Sequence, residues 1–176
     1  MMFDFCEKVI MKYLVTYYSK TGNTRKVAEA IFDTLPGDKQ IMPIDMVENL
    51  NGFDLVFVGF PVMQFGPPPV IKNLVKKVGE GVRTALFITH AIPLQSDDLL
   101  QQAMLQKELE KCRSGFTKSE IGLFHCQGEL AQETADELIA MNIPMLAEFA
   151  RLRKQTIGHP DPGELDQARA FAKNII

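Results

Sequence analysis

The sequence predicts an α/β fold: a doubly wound parallel sheet of five strands, with helices on both faces and an extra helical segment after the fifth strand. Three observations carry this expectation. Strand-like and helix-like segments alternate from residue 12 onward, which favours parallel strands joined by crossover helices. The third strand-like run, Asp54 to Phe60, is continuously apolar after its first residue, as a strand covered on both faces must be. Finally, 176 residues at 46% apolar and 23% charged suffice for one core and fall short of two domains.

The elements follow in order. Lys12 to Tyr18 is β-branched and aromatic and stops at a run of small polar residues, which predicts a first buried strand. From Thr24 to Leu35, Val27, Ala28, Ile31 and Leu35 recur at helical spacing, and Pro36 and Gly37 end the helix. Gln40 to Ile44 reads as the second strand and Asp45 to Gly52 as a turn or short helix. After the third strand, Pro67 to Pro69 open a helix running through Val70, Ile71, Leu74, Val75 and Val78 to a stop at Gly79, since proline fits the first helical turn. Thr84 to Thr89 is the fourth strand. Ser96, followed by Asp97 and Asp98, starts a helix reaching about Cys112, and Ile121 to Cys126 is the fifth strand.

Beyond it, Leu130 to Met141 and Pro144 to Lys154 both look helical, so residues 127–158 read as an insertion. The last helix is the best specified. Asp161 caps it, Pro162 takes its first position, Glu164 completes a capping-box spacing, and Leu165, Ala168, Phe171, Ala172 and Ile175 share one face. Residues 1–11 are expected to be an N-terminal extension and residues 12–176 a single domain.

Composition narrows the function classes. A formal charge of −3 supplies no broad positive field for nucleic acid. The longest uncharged stretch, Leu55 to Ile71, is interrupted by Pro61, Pro67, Pro68 and Pro69 and is rejected as a membrane span. Asp4 and Glu7 sit where a signal peptide needs a basic start and an apolar run. Cys6, Cys112 and Cys126 are odd in number and widely spaced, forming no disulfide framework and no metal or redox pair, so a reducing cytoplasm is expected.

The loop Ser19-Lys20-Thr21-Gly22-Asn23-Thr24 lies at the carboxyl end of the first strand, where open α/β sheets place their ligands. Ser19, Thr21 and Thr24 offer hydroxyls, Asn23 an amide, Gly22 a tight backbone, and the following helix its unpaired N–H groups. This composition suits an oxyanion, although a well-capped turn would share it. The chain has neither GxxxxGK[ST] nor GxGxxG after the first strand, which leaves a mononucleotide as the better expectation.

Tyr18 to Thr24 resembles the phosphate-binding signature of the flavodoxin family, [ST]-x-T-G-N-T directly after the first strand. Asp54 to Pro61 resembles the family's third strand, and Gly158 to Phe171 the last helix of many relatives. The resemblance covers Lys12 to about Cys126 and Gly158 to Ile176. It implies strand order 2-1-3-4-5 and flavin mononucleotide, FMN, bound at the strand ends. Ser19, Lys20, Thr21, Gly22, Asn23 and Thr24 would hold the phosphate. The isoalloxazine ring would lie between the loop Pro61, Val62, Met63, Gln64, Phe65, Gly66 and the loop Thr89, His90, Ala91, Ile92, Pro93. The family often places Trp and Tyr on the two ring faces. This chain has no Trp, and its tyrosines are Tyr13, Tyr17 and Tyr18, so Met63 or Phe65 is left for the first face and His90, Ile92 or Pro93 for the second. Aligning Met63 with the ring-flanking residue puts Gln64 where the family commonly has Gly; aligning Phe65 puts Gly66 there. The nearer match to the strand end is Met63.

Other polar candidates have plainer readings, which are preferred. His90 reads as a polar loop histidine, His125 and Cys126 as ordinary strand-end residues, and His159 as a loop residue before a helix cap. Met141 and Met145 read as core packing, while for Arg151, Arg153 and Lys154 a solvated helix end and the steering of an acidic partner or a dinucleotide phosphate are equal readings. Three functions follow: an FMN electron carrier between a reductase and an acceptor protein, which leads; a flavin-dependent NAD(P)H or quinone reductase with residues 127–158 as a substrate wall; and a binding module that kept the fold without the flavin.

Overall fold

The structure, a computed structural model, describes residues 10–176. The expected N-terminal extension therefore lies almost wholly outside the described residues. Five strands form one parallel sheet: β1 (Lys12–Tyr17), β2 (Asp38–Pro43), β3 (Leu55–Pro61), β4 (Arg83–His90) and β5 (Glu120–Gln127), in the order β2-β1-β3-β4-β5. The helices are α1 (Asn23–Thr34), α2 (Pro69–Val75), α3 (Leu99–Arg113), α4 (Gln132–Ala140), α5 (Pro144–Arg151), α6 (Arg153–Thr156) and α7 (Pro162–Ile175). None of them is long and apolar enough to cross a membrane.

Alternation along the strands explains the two cores. Leu14, Val56, Val58, Leu86 and Ile88 face one way and pack with Ile71 and Leu74 of α2 and Leu105 and Leu109 of α3. Val15, Phe57, Ala85 and Phe87 face the other way, onto Val27, Ala28 and Ile31 of α1 and Ala168 and Ala172 of α7. This is why β3 reads as a continuous apolar run: Leu55 to Phe60 are all buried between two helical layers. Gly59 is required there, because a Cβ would sit 1.8 Å from the Phe87 ring.

Several boundaries differ from the sequence expectation. β2 starts at Asp38, and Ile44 opens a single 3-10 turn instead of ending the strand. α2 stops at Val75; Lys77 N–H reaches back only to Leu74, tightening the chain into a turn that carries Val78 outside the helix. Ser96 does not cap α3. The cap is Asp98, whose carboxylate accepts from the N–H groups of Leu100 and Gln101, while Ser96 Oγ accepts from Asp98 N–H in the turn before. β3, β4 and β5 each run past their expected ends because backbone pairing continues beyond the apolar run, so Pro61, His90 and Gln127 are strand residues. Met141 and Met145 are exposed, since α4 and α5 bury the small residues Ala135 and Ala150 instead. The capping box of α7 forms as its spacing predicts.

Candidate functional site

The β1–α1 loop turns on Ser19 and Gly22. Ser19 Oγ accepts from Gly22 N–H at 3.1 Å and Arg25 N–H at 3.3 Å, closing the loop over the first turn of α1. Gly22 is the N-cap at φ +93°, a conformation that other residues rarely adopt, and the space its Cβ would occupy is open. Among the described residues, the N–H groups of Thr21, Asn23 and Thr24 have no protein acceptor. Lys20 and Thr21 are exposed.

The other side chains of the loop are spent partly on the fold. Thr24 is buried, and its hydroxyl meets that of Thr89 at 2.8 Å, tying α1 to the end of β4. Asn23 Nδ2 donates to the Glu129 carbonyl at 2.8 Å, tying the loop to the segment after β5. That segment thus starts beside the loop, held further by the pairing of Glu129 with Arg153, which is therefore not simply a solvated helix end. What the loop offers an oxyanion is chiefly backbone N–H, with the hydroxyls of Thr21 and Ser19.

After β3 the chain makes a two-residue hairpin. Met63 N–H donates to the Gly66 carbonyl at 2.8 Å, and Gly66 N–H returns to Met63 at 3.0 Å. Both central residues are left-handed, Gln64 at φ +49° and Phe65 at φ +62°, although turns of this kind favour Asn and Gly. Gly66, the glycine present, is not among the positive-φ residues. The turn is held from outside: Lys111 Nζ donates to the Phe65 carbonyl, and Val62 N–H pairs with the Thr89 carbonyl. Met63 and Phe65 are half-buried and Gln64 is exposed.

His90 is not a loop histidine. It ends β4, is 4% exposed, and its Nε2 lies 3.0 Å from Nδ1 of His125 on β5, while its own Nδ1 is buried without a partner. Burial, reinforced by the neighbouring His125, pushes its pKa down to about 3, and burial lowers that of His125 as well. Both rings are neutral at physiological pH. Of the remaining loop, Ala91 is half-buried and Ile92 is buried in the core shared with α3. Cys126 is buried, and desolvation raises its thiol far above the ordinary range; Cys112 is pushed up to about 12 for the same reason. Neither is a reactive thiolate.

A second group lies beyond the residues that sequence reasoning selected. A cavity of about 510 Å³ opens beside the loop after β4, lined by Ser96, Gln127, Gln155, His159 and Glu164 among others. His159 Nδ1 is 2.6 Å from Glu164 Oε2, and Glu164 also accepts from the N–H groups of Gln127 and Asp161. His159, Asp161 and Glu164 have metal-ligand atoms within 4.8 Å of one another, but the Glu164 oxygens are already committed to these donors, so the trio reads as a reinforced helix cap. The signal in the sequence was His159 two residues ahead of a capping box; what it could not disclose was the third partner, Gln127.

Residues 14–173 match a family model described as a flavodoxin domain. The chain is 29% identical to the flavodoxin-like domain-containing protein BilS of Clostridioides difficile (strain CD3), over 94% of this chain and 97% of the relative. In fold it is similar to the NAD(P)H:quinone oxidoreductase from Methanothermobacter marburgensis, with a TM-score of 0.57, 10% identity, and coverage of 95% of this chain and 100% of that one. It is also similar to oxidised Flavodoxin 2 from Bacillus cereus, with a TM-score of 0.55, 14% identity, and coverage of 93% and 97%. At these identities the solved structures speak to the fold alone.

Proposed function

The chain belongs to the flavodoxin family, and from that premise we propose that it binds FMN and passes electrons between a reductase and an acceptor protein. The observation that carries this reading is the β1–α1 loop. Its unpaired N–H groups on Thr21, Asn23 and Thr24, its free Thr21 hydroxyl and the open side of Gly22 suit a phosphate held at the positive end of α1 without a cationic clamp. The donor set therefore fits the mononucleotide. The turn at Met63 to Gly66 and the strand end at Thr89 to Ile92 would flank the ring, with Met63 or Phe65 against one face. FMN, when bound, supplies the redox chemistry; the chain supplies binding, orientation and the polarity around the ring. The same reading puts the protein in the cytoplasm, in keeping with the free, buried thiols of Cys112 and Cys126.

A second reading, a flavin-dependent NAD(P)H or quinone reductase, draws on the cavity beside the loop after β4, which has room for part of a substrate. One preparation separates the possibilities. A yellow protein that releases one FMN per chain on denaturation and does not oxidise NADPH in the presence of a quinone supports the carrier. Steady NADPH oxidation favours the reductase. A colourless protein that takes up no FMN in a fluorescence titration overturns both and leaves the flavin-free module.

A further inference from the structure

We propose that His90 and His125 form a two-imidazole proton path, with His125 as its solvent-side end and His90 Nδ1 as the end that meets bound flavin. The inference rests on the FMN reading above. It starts from a cost: His90 is 4% exposed, and its Nδ1 has no hydrogen-bond partner. The Ile92 backbone lies close enough to favour the protonated ring but makes no hydrogen bond to Nδ1. An unmet buried polar atom is destabilising, and a ligand group that reached that point would supply the missing partner. His90 ends β4, directly before Ala91 and Ile92, in the segment taken above to flank the ring.

The pairing of the rings adds the second element. His90 Nε2 and His125 Nδ1 are 3.0 Å apart, so one nitrogen donates and the other accepts, and both assignments are available to neutral rings. Consider the arrangement in which His125 Nδ1–H donates to His90 Nε2 and His90 Nδ1 carries a hydrogen. A proton taken up at His125 Nε2 lets the Nδ1 proton cross to His90 Nε2, and the proton on His90 Nδ1 leaves. One proton enters, one departs, and neither ring keeps a charge. Both tautomers are now exchanged, and the reverse passage restores them. A group that gains a proton on reduction and returns it on oxidation would drive the path alternately in each direction, with no ring rotation needed.

His159 shows what a fixed imidazole looks like in this molecule. Its Nδ1 is held at 2.6 Å by the Glu164 carboxylate, which accepts only and so locks the tautomer. Among the described residues no carboxylate pairs with His90 or His125. Their shared proton is free to sit on either side.

The test is ¹⁵N-detected imidazole NMR on the full chain. In the FMN-free protein, the His90 ring N–H should exchange with water faster than the buried backbone amide of Ile88 on the same strand, which needs local opening, and His125→Phe should slow that ring exchange by about tenfold or more. Exchange no faster than that of Ile88 in the wild type overturns the path, whether or not the variant folds; unchanged exchange in a folded variant does the same. On titration with FMN, followed by flavin fluorescence, the His90 Nδ1 resonance should shift as the flavin binds. Binding without that shift overturns the inner end of the path while leaving the FMN reading intact. Failure of FMN to bind overturns the FMN reading and the inner end together.

Discussion

The hydroxyls of Thr24 and Thr89 meet at 2.8 Å in a buried contact between the first turn of α1 and the end of β4. A residue of the loop proposed above to hold a phosphate is thereby also a structural bolt between α1 and the end of β4. Removing one hydroxyl leaves the other buried and unpaired, whereas removing both leaves two methyl-bearing side chains of similar shape. Thr24→Val or Thr89→Val alone should therefore cost about 1–3 kcal/mol in urea denaturation, and the double variant should cost less than the two single variants added together. Simple additivity would mean that the contact contributes no coupling. Thr21→Ala, at an exposed residue, should leave stability unchanged and weaken FMN by about 1 kcal/mol in a fluorescence titration.

The turn after β3 stores backbone strain. Gln64 and Phe65 both occupy the left-handed region, at a cost of roughly 1–2 kcal/mol each for an L-residue. Gln64→Gly removes that cost and gives back part of it as unfolded-chain entropy, so a net stabilisation of about 0.5–1 kcal/mol is expected. Gln64→Val should be destabilising, because a β-branched residue tolerates positive φ least. Gly66→Ala should be nearly neutral, since the nearest atom to its Cβ position is 4.0 Å away and φ is not positive. If Gln64→Gly lowers the urea midpoint while Gly66→Ala is the damaging change, the hairpin has been assigned to the wrong pair of residues.

The sheet and the polar turn between β1 and α1 were legible in the sequence because their signals are local. An apolar run such as Leu55 to Phe60 and a polar cluster such as Ser19 to Thr24 declare themselves within a few residues. The histidine pair did not, because His90 and His125 are 35 residues apart and meet only through the register of β4 with β5. The same holds for Gln127 with Glu164. The left-handed turn was hidden for another reason: turn chemistry points to glycine, and Gln64 and Phe65 are held in place by Lys111 and by pairing between Met63 and Gly66. Tertiary contacts there override local preference.

Stability should fall on acidification through the histidines. Burial lowers the pKa of His90 in the native state to about 3, while in the unfolded chain it titrates near 6.5, so between these values the unfolded state binds more protons. The stabilising contribution is complete above pH 6.5 and is lost at up to about 1.4 kcal/mol per pH unit as the pH drops toward 3. His125, also lowered, acts in the same direction. The buried Glu108 carboxyl, raised by desolvation, opposes them in the acid part of the range. The informative quantity is therefore the difference between wild type and His90→Phe in urea denaturation from pH 7.5 to pH 4.5. The variant should show a shallower fall; parallel curves would mean that His90 titrates normally in the folded protein.

Glu164 and Asp161 share the capping box of α7, yet their removal should have unequal effects. Asp161 accepts from a single backbone N–H, that of Glu164, and its carboxylate is the cap. Asp161→Ala should cost about 1 kcal/mol, as cap losses do. Glu164 is 7% exposed and receives three donors: the N–H groups of Gln127 and Asp161 and the His159 imidazole. In Glu164→Ala the end of β5 and the start of α7 lose their shared anchor, and Gln127 N–H is left buried without an acceptor. The cost should be about 3 kcal/mol or more, given roughly 1–3 kcal/mol for each donor stranded out of water. Glu164→Gln keeps the shape and an acceptor oxygen for Gln127 but loses the charge, so it should fall between the two. The ordering is the check: if Asp161→Ala proves the more damaging in urea denaturation, the helix cap rather than the bridge to β5 holds α7 in place, and the wall of the adjoining cavity does not depend on Glu164.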